Sequence, residues 1–567
     1  MWIDIPPFVV FFVGALFVAV TKGPVRMALL LAVPLLGGLN LMGAAPGTHL
    51  ELTLFGYELT PFRVDRLSLL FGYLFHLAAF LAFVYALHLG DDDRPRLQHV
   101  SAMLYAGCAL GAVFAGDLLT LFVFWEGLAL TSVFLIWARD SERSFETGFR
   151  YLVIHVVSGV LLLSGALMLA HDTGSLTFDH IGVDSGPAGW IILLAFGIKA
   201  GFPLVHNWIT EAYPEGTPTG TVFLSAFTTK VAVYALARGF AGTEILITIG
   251  TIMTFFPIFY AVLENDLRRV LGYSMINQIG FMVVGIGIGT GLALNGAVAH
   301  AFADVIFKGL LFMSMGAVMT MTGRTKGTDL GGLYKTMPIT AALCIFGAAA
   351  ISAFPLFSAF VTKSMIMAAA LEEHHYIVWL FLLFASAGVL EHAGIKIPYF
   401  AFFAHDSGIR AKEPPRNMLV AMGMGALICV AIGTFPDVLY RLLPFESDYH
   451  AYDATHVLTQ MQLLLFGAMG FVTLLKSGVY PDEQRAVHID AEWTYRKAGP
   501  WLVTTVGGAA GRIDAYVRSS VMSVVRAVLG TADRAHGQLG PLARSWPSGS
   551  MVLWVAILLA ASLLLYL

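Results

Sequence analysis

Long runs of apolar residues, separated by short polar stretches, cover most of this chain. Each run is long enough to cross about 30 Å of hydrocarbon as a helix that rises about 1.5 Å per residue. The pattern predicts an all-α polytopic membrane protein with about sixteen spans, of which about fourteen form a helical core. The runs lie at residues 7–21, 25–43, 67–89, 100–116, 118–138, 149–170, 189–208, 219–240, 243–263, 271–289, 296–321, 338–371, 376–404, 417–436, 459–478 and 551–567.

Two of these runs are interrupted by the same triplet, Phe-Pro-Leu. The triplet contains Pro203 in GIKAGFPL and Pro355 in SAFPLFSAFVTK, 152 residues later. Because proline cannot donate to the carbonyl four residues before it, each span is predicted to break there. The two breaks are five spans apart, and an odd number of spans inverts the second copy. We therefore expect two inverted five-helix repeats, each with a broken helix.

The repeats define the predicted division of the chain. Ile513, Val517 and Val521 recur at helical spacing near the C-terminus, where they predict an amphipathic helix. The sequence leaves open whether that helix packs on protein or lies along the membrane. The expected parts are N-terminal transmembrane helices at 1–99, a first repeat at 100–240, a second repeat at 243–404, C-terminal core helices at 405–480, a polar and amphipathic segment at 481–548 and a final transmembrane helix at 549–567.

Composition agrees with a membrane location and excludes several other classes. Hydrophobic residues make up 57% of the chain and charged residues only 12%. The net charge of -4 gives no basic surface for a nucleic acid. Cys108, Cys344 and Cys429 stand alone in apolar runs, so we expect no metal site and no cofactor bound through cysteine.

The distribution of lysine and arginine predicts the orientation. The N-terminal stretch MWIDIPP lacks the basic residues of a signal peptide, so we expect its apolar run to be retained as the first helix. With the N-terminus outside, the inner loops up to residue 416 hold fifteen Lys and Arg residues and the outer loops four. Since cytoplasmic loops are enriched in these residues, the count predicts a multi-pass protein of a bacterial-type inner membrane with its N-terminus outside.

A small set of ionisable residues interrupts the apolar spans. A charge near the bilayer centre costs about 2.5–3.5 kcal/mol on insertion scales, so such residues must pair or line a hydrated path. One triad lies on a single helix face at four-residue spacing, where it predicts either a local Asp-Lys ion pair or a proton path. Lone histidines elsewhere, such as His155, are expected to be hydrogen-bonded core residues. The full set is Glu126, Lys199, Lys230, the triad His300, Asp304 and Lys308, then Lys363, with Glu391 and Lys396 as further candidates.

These segments resemble the antiporter-like membrane subunits shared by respiratory complex I and the multisubunit Mrp-type cation/proton antiporters. The resemblance covers about residues 60 to 480. GIKIPYFAFF and HDSGIRAKEPPRNML make the chain most similar to the D-type subunits of Mrp antiporters. The amphipathic segment and last span resemble the lateral helix of the largest complex I member. The other matching motifs are WEG with Glu126, IKAGFPL with Lys199, TKVAVYALAR with Lys230, HAFADVIFKGLLF with His300 and Lys308, and SAFPLFSAFVTKSM with Lys363.

The resemblance implies a secondary transporter subunit, not an enzyme, that works with other membrane subunits in a hetero-oligomer. It implies a proton path in which Glu126 and Lys199 form a switchable pair and pass protons through Lys230 and the triad to Lys363. The ions would be protons and Na⁺, and the sequence leaves open which subunit carries Na⁺. Two alternatives remain: a proton-pumping subunit of a redox-driven complex I or membrane hydrogenase relative, and a membrane scaffold, against which the unpaired buried lysines argue.

Overall fold

The computed structural model describes residues 5–54, 56–478, 489–541 and 546–566. The chain starts with two helices, a two-stranded antiparallel sheet and a third helix. Their bounds are α1 Pro7–Val20, α2 Gly23–Met42, β1 Gly47–Leu54, β2 Tyr57–Val64 and α3 Arg66–Ala86.

The first repeat follows α3. Its fourth and fifth spans are each divided into two helices. The bounds are α4 Asp93–Phe114, α5 Leu118–Trp137, α6 Glu142–Thr173, α7 Pro187–Ala200, α8 Asn207–Glu215, α9 Gly220–Ala226 and α10 Thr228–Gly239.

The second repeat has the same order, with two short 3-10 turns after its third helix and two π-helical segments in its fifth. The bounds are α11 Ile245–Leu263, α12 Leu267–Ile288, α13 Gly291–Thr322, the 3-10 turns Gly327–Asp329 and Leu333–Lys335, α14 Pro338–Ile351, α15 Ser358–Glu372, α16 Tyr376–Val389, the π segment Leu390–Ile395, α17 Lys396–Pro398 and the π segment Tyr399–Phe403. The remaining core helices are α18 Arg416–Thr434, α19 Asp437–Tyr440 and α20 Ala454–Lys476.

Matching backbone contacts identify the two repeats. Asp117 and Asp266, 149 residues apart, cap the N-termini of α5 and α12 and form isolated bridges with Thr177 and Lys326. The third helices, α6 and α13, both have 32 residues and end at a left-handed glycine, 149 residues apart, at Gly174 and Gly323. The same local chemistry therefore starts and ends equivalent helices in both copies.

The two broken helices have the same backbone. Phe202 N donates to Gly197 O at 2.9 Å, and Phe354 N donates to Ala349 O at 3.1 Å. In both copies the leucine after the proline is left-handed, with φ of 73° at Leu204 and at Leu356. The chain therefore leaves the helix completely at each triplet, which is a larger break than a proline kink. The prediction of paired broken helices is confirmed.

The helices that carry the predicted charges lie at the centre of the core. Among the described residues, thirteen helices are long and apolar enough to cross a membrane. The span 220–239 is 100% buried in its apolar window, and α12 and α13 are each 94% buried, whereas α20 is 17% buried. The fold is thus all-α with a small sheet, as the apolar pattern predicted, and its most protected helices face protein on all sides.

The sheet is an addition that the apolar pattern did not predict. β1 and β2 form a hairpin before α3. Thr60 N of β2 donates to Asp117 Oδ2 at 2.7 Å, and Gly116 N donates to Thr60 O at 2.8 Å. The hairpin therefore holds the loop before α5 in the first repeat.

The loop between the second repeat and α18 is fixed by ionic hydrogen bonds. Asp406 accepts from Arg410 at 2.8 Å and from Lys335 at 2.6 Å. These two hydrogen bonds, with one from Gly408 N, lower the pKa of Asp406 below its usual range. This loop contains the HDSGIRAKEPPRNML motif.

Residues Ile489–Leu567 form a separate compact unit. Within it, a π segment Thr494–Ala498 leads into α21 Gly499–His536, and α22 spans Ser548–Tyr566. The predicted amphipathic repeat of Ile513, Val517 and Val521 lies on α21. The start of the predicted polar segment, up to residue 488, lies outside the described residues.

Candidate functional site

The end of α7 places a buried lysine beside the first break. α7 ends at Ala200, and Gly201 adopts a left-handed φ of 79°. Lys199, the penultimate residue of α7, is fully buried. Its ammonium group donates to the Trp125 carbonyl and lies 4.5 Å from the centre of the Trp125 ring. An aromatic face stabilises a desolvated cation by about 2 kcal/mol.

Glu126 is the acid nearest to Lys199 in the sequence motif WEG. Its carboxylate packs on Gly159 of α6 so closely that a Cβ at that position would overlap Glu126 Oε1. Among the described residues, Oε1 has no hydrogen-bond partner, and no ion pair within 4.0 Å joins Glu126 to Lys199. The two charges are thus neighbours that interact through space without a direct contact.

Lys230 and Asp304 join the two repeats. Lys230 of α10 and Asp304 of α13 are both completely buried, and Lys230 Nζ lies 2.7 Å from Asp304 Oδ2. The angles are not those of a hydrogen bond, and Asp304 Oδ1 has no partner among the described residues. Lys230 Nζ also donates to Ser225 O at 3.2 Å. A first-repeat cation is therefore neutralised by a second-repeat acid.

The rest of the triad contacts other helices. Lys308 Nζ donates to Ser274 Oγ of α12 at 2.7 Å. His300 Nδ1 lies 2.9 Å from the Thr362 hydroxyl of α15, and its Nε2 lies 3.0 Å from Gln278 Oε1 of α12. The local Asp304-Lys308 ion pair allowed by the spacing is not the contact that forms, because Asp304 turns to Lys230. Helix spacing alone could not show this.

Lys363 lies after the second break. It is 2% exposed, donates to Ile351 O at 3.1 Å and lies 4.9 Å from the centre of the Phe281 ring. Ile351 is the last residue of α14, so its carbonyl is one of those that a helix end leaves without an intrahelical donor. Pro355 thus frees a carbonyl for Lys363, and Asp304 is the nearby opposite charge.

The two additional candidates occupy the π segment after α16. Lys396 is fully buried and donates to Val262 O and Glu264 O, both at 2.7 Å. These carbonyls lie at the C-terminal end of α11, so Lys396 acts as a cap for that helix. Glu391 is partly buried on the preceding turn. The structure therefore gives Lys396 a helix-capping contact with α11.

Sequence reasoning missed several residues of the site. Ser274, Gln278 and Thr362 hold Lys308 and His300, but such polar residues are common in membrane helices and no spacing marked them. His155 was expected to be hydrogen-bonded; it is completely buried, and neither ring nitrogen has a partner among the described residues. The residue equivalent to His155 in the second repeat, 149 residues later, is Asp304. A comparison of the two repeats could therefore have marked His155 as a candidate.

Buried, ionisable groups therefore lie in the core of both repeats. These residue types are suited to proton transfer, because lysine and histidine exchange protons when their surroundings change, and hydroxyl groups both donate and accept hydrogen bonds. Within the described part of the chain, no group of three His, Cys, Asp or Glu side chains is arranged to hold a metal ion.

Comparison with known proteins shows which proteins this chain is similar to. Residues 115–388 match the family described as NADH:quinone oxidoreductase/Mrp antiporter, TM. The D-type subunit of the Na(+)/H(+) antiporter of Alkalihalophilus pseudofirmus is 33% identical over 288 residues, which are 47% of this chain and 58% of that protein. The chain thus aligns with less than two thirds of the length of this relative.

Two solved structures have the same fold. The Mrp complex from Dietzia sp. contains a chain that matches with a TM-score of 0.66 and 20% identity, covering 82% of this chain and 100% of that one. The membrane-bound sulfane sulfur reductase, an archaeal respiratory membrane complex, contains a chain that matches with a TM-score of 0.72 and 20% identity, covering 99% and 100%. Residues 115–388, which contain both broken helices, are thus similar to the NADH:quinone oxidoreductase/Mrp antiporter family, and the chain shares its multi-pass membrane fold with subunits of these two complexes.

Proposed function

We propose that this chain is a proton-translocating subunit of a multisubunit monovalent cation/proton antiporter, with Na⁺ as the cation exchanged by the complex. The proton path runs from Glu126 and Lys199 through Lys230, Asp304, His300 and Lys308 to Lys363. The observation that carries the proposal is the buried contact between Lys230 and Asp304, which joins the charged groups of the two repeats at 2.7 Å.

The contacts of the lysines support a transport role over a purely structural one. Lys199 and Lys363 are held by a single backbone carbonyl and an aromatic ring, with no carboxylate within ion-pair distance among the described residues. Because no carboxylate is in contact, less charge–charge attraction is lost when such a lysine gives up its proton than in a full ion pair. A lysine that served only to hold helices together would be expected to have a full ion pair.

The partners and location are part of the proposal. The relative in Alkalihalophilus pseudofirmus is named as one subunit of a Na(+)/H(+) antiporter, and the Dietzia chain belongs to a complex. We propose that other membrane subunits accompany this chain in a bacterial-type inner membrane. The fifteen basic residues in alternate loops support an N-terminus on the outer side.

The proposal is tested in inside-out membrane vesicles that contain the complete complex. After respiration has acidified the vesicles, addition of NaCl should dissipate the pH gradient, which a pH-sensitive dye measures. Lys199→Ala should lower the rate at least about 100-fold, since a positioned proton carrier contributes about 10²–10⁴-fold. Lys335→Ala is the matched control, because this lysine is exposed and pairs with Asp406 in a loop.

The expected result is a normal rate for Lys335→Ala and loss of the cation-dependent rate for Lys199→Ala. The amount of assembled complex is measured in each preparation by blue-native electrophoresis. If Lys199→Ala vesicles with normal complex content dissipated the gradient as fast as the wild type, the assignment of the path would be wrong.

A second candidate is a proton-pumping subunit of a redox-driven complex. The observation that favours it is the coverage of the archaeal respiratory subunit, which matches 99% of this chain, against 82% for the Mrp complex chain. Purification of the complex from its native membranes decides between the two. Flavin or iron-sulfur absorbance in co-purifying subunits would favour the redox-driven complex, whereas their absence together with Na⁺-dependent proton flux would favour the antiporter.

A further inference from the structure

His155 is a buried ionisable side chain outside the path described above. It lies on α6 with no exposed surface, and both ring nitrogens lack a partner among the described residues. Its ring centre lies 4.2 Å from that of Tyr151 and 4.4 Å from that of Trp208. A phenylalanine could fill this stack without two buried polar atoms, whose burial is unfavourable when they have no partner.

The surroundings of His155 connect it to the first charged pair. One turn along the same face of α6 is Gly159, on which the Glu126 carboxylate packs. Lys199 is the charged group that acts on the imidazole through space. The Trp208 indole, which meets the His155 ring edge to face, donates to Ile198 O at 2.8 Å, next to Lys199 in the chain. His155 therefore lies one turn from the glycine on which Glu126 packs, and its ring neighbour Trp208 contacts the residue before Lys199.

Hydroxyl groups lie on the other side of His155. The stacked Tyr151 has its hydroxyl 2.7 Å from Ser132 Oγ and interacts with the Thr228 side chain. Thr228 Oγ1 in turn lies 2.6 Å from the Tyr105 hydroxyl. Since Thr228 starts α10, this hydroxyl cluster ends two residues before Lys230. The cluster thus extends from Tyr151, whose ring packs on His155, to the first turn of α10, which carries Lys230.

The internal symmetry gives independent support. The offset of 149 residues that relates Asp117 to Asp266 and Gly174 to Gly323 also relates His155 to Asp304. Asp304 contacts Lys230 at 2.7 Å. Both repeats thus place an ionisable group at the same position of their 32-residue helix.

We propose that His155 is a proton-relay residue between Lys199 and the hydroxyl cluster that leads to Lys230, a role that rests on the proposed function. The Lys199 ammonium gives a proton to one imidazole nitrogen, directly or through one water molecule, and becomes a neutral amine. The other imidazole nitrogen then releases its proton to the hydroxyl cluster of Tyr151 and Thr228. One proton enters and one leaves, so the imidazole returns to its neutral form.

The groups that face His155 are few. Lys199 on α7 and Glu126 on α5 carry the neighbouring charges. Tyr151 on α6 packs on the imidazole, and Tyr213 on α8 packs on Trp208, the other ring beside His155; the Tyr213 hydroxyl also has no hydrogen-bond partner among the described residues. If substitution of His155 changes the pH profile of the flux, the titration of these neighbouring groups has to be considered as an alternative cause.

The test uses the complete complex in vesicles and compares three substitutions. His155→Gln keeps a polar side chain that cannot carry a proton, and should lower Na⁺-dependent proton flux at least about 100-fold, the lower end of the range expected for a proton carrier. His155→Asp introduces the group found at the equivalent position 304 and should keep a rate within about threefold of the wild type. Its pH optimum should move to lower pH, because a carboxyl group titrates about 2–3 units below imidazole in water. His99→Gln is the control, since His99 is also buried but lies on α4.

The outcomes separate a relay from a packing role. Normal flux in His155→Gln, or equal loss in His155→Gln and His155→Asp at normal complex content, would overturn the proposal. If His155→Gln prevented assembly, Tyr151→Phe decides, because it removes only the hydroxyl; reduced flux supports the relay and unchanged flux overturns it. A wild-type complex without Na⁺-dependent flux would contradict the proposed function itself, whereas loss of flux in Lys199→Ala with normal flux in His155→Gln would contradict only the relay.

Discussion

The two broken helices have the same backbone and opposite placement of charge. Lys199 lies before the first break, and its equivalent 152 residues later is Ile351. Lys363 lies after the second break, and its equivalent in the first repeat is Glu211, which is 3.2 Å from Arg150. Each break thus has one buried lysine, on opposite sides of the triplet. Lys363 donates to Ile351 O, which the second break frees, whereas Lys199 donates to Trp125 O of α5. The equal backbone of the two breaks therefore does not determine how the lysine is held.

The two sites also differ in how their charges are neutralised. In the first, the Glu126 carboxylate and the Lys199 ammonium are close but not in contact. In the second, Asp304 contacts Lys230 of the other repeat and lies near Lys308 and Lys363. A lysine of the first repeat therefore neutralises an aspartate of the second. We expect substitutions at this contact to change the stability more than substitutions at the first site.

The largest effect is expected for Lys230→Ala. Removing one partner of a buried pair leaves Asp304 as an uncompensated charge, which costs about 3–5 kcal/mol. The thermal unfolding midpoint of the purified complex should fall. The double substitution Lys230→Met with Asp304→Leu should recover most of the stability and none of the proton flux, because the charge is removed along with its partner. Equal stability of the single variant and the wild type would show that the pair does not join the repeats.

An intermediate effect is expected for Gly159→Ala in the first site. The added Cβ would overlap Glu126 Oε1, so the carboxylate must move away. Overpacking of this kind costs about 1–3 kcal/mol, and displacement of Glu126 should also reduce proton flux. Gly309→Ala on α13 is the control, since its Cβ would meet only Met313 Cε at 3.9 Å. Unchanged flux in Gly159→Ala would show that the position of Glu126 is not critical.

The smallest effect is expected at the two breaks. Left-handed backbone costs a residue with a side chain about 1–2 kcal/mol, so Leu204→Gly and Leu356→Gly should each raise the thermal midpoint slightly. Both side chains are largely exposed, so little packing is lost. Leu194→Gly, in the interior of α7, should instead destabilise by about 1 kcal/mol. If the thermal midpoint rose for one of these variants and fell for the other, the two breaks would differ in backbone strain despite their equal φ values.

Much of this architecture was predictable because each prediction depended on a local property. Apolar runs predict spans, and proline removes a hydrogen bond wherever it occurs, so Pro203 and Pro355 marked both breaks. The contacts of Asp304 were not predictable. Its nearest basic residue on the helix is Lys308, and only the packing of α10 against α13 brings Lys230 closer. His155 was misjudged for the same reason, since hydrogen bonding depends on neighbours from other helices.

Because only the first repeat is bonded to the β1-β2 hairpin in the described part of the chain, we expect backbone amide hydrogens of the two repeats to exchange with deuterium at different rates. Thr60 N donates to Asp117 Oδ2 and Thr60 O accepts from Gly116 N, so the N-terminal end of α5 is tied to a strand that precedes both repeats. Amide hydrogens at 59–64 and at the start of α5 share this network and should exchange with deuterium together, as one protected unit. A hydrogen–deuterium exchange map of the purified complex would thereby distinguish the first repeat, which the hairpin anchors, from the second repeat, which has no such anchor among the described residues.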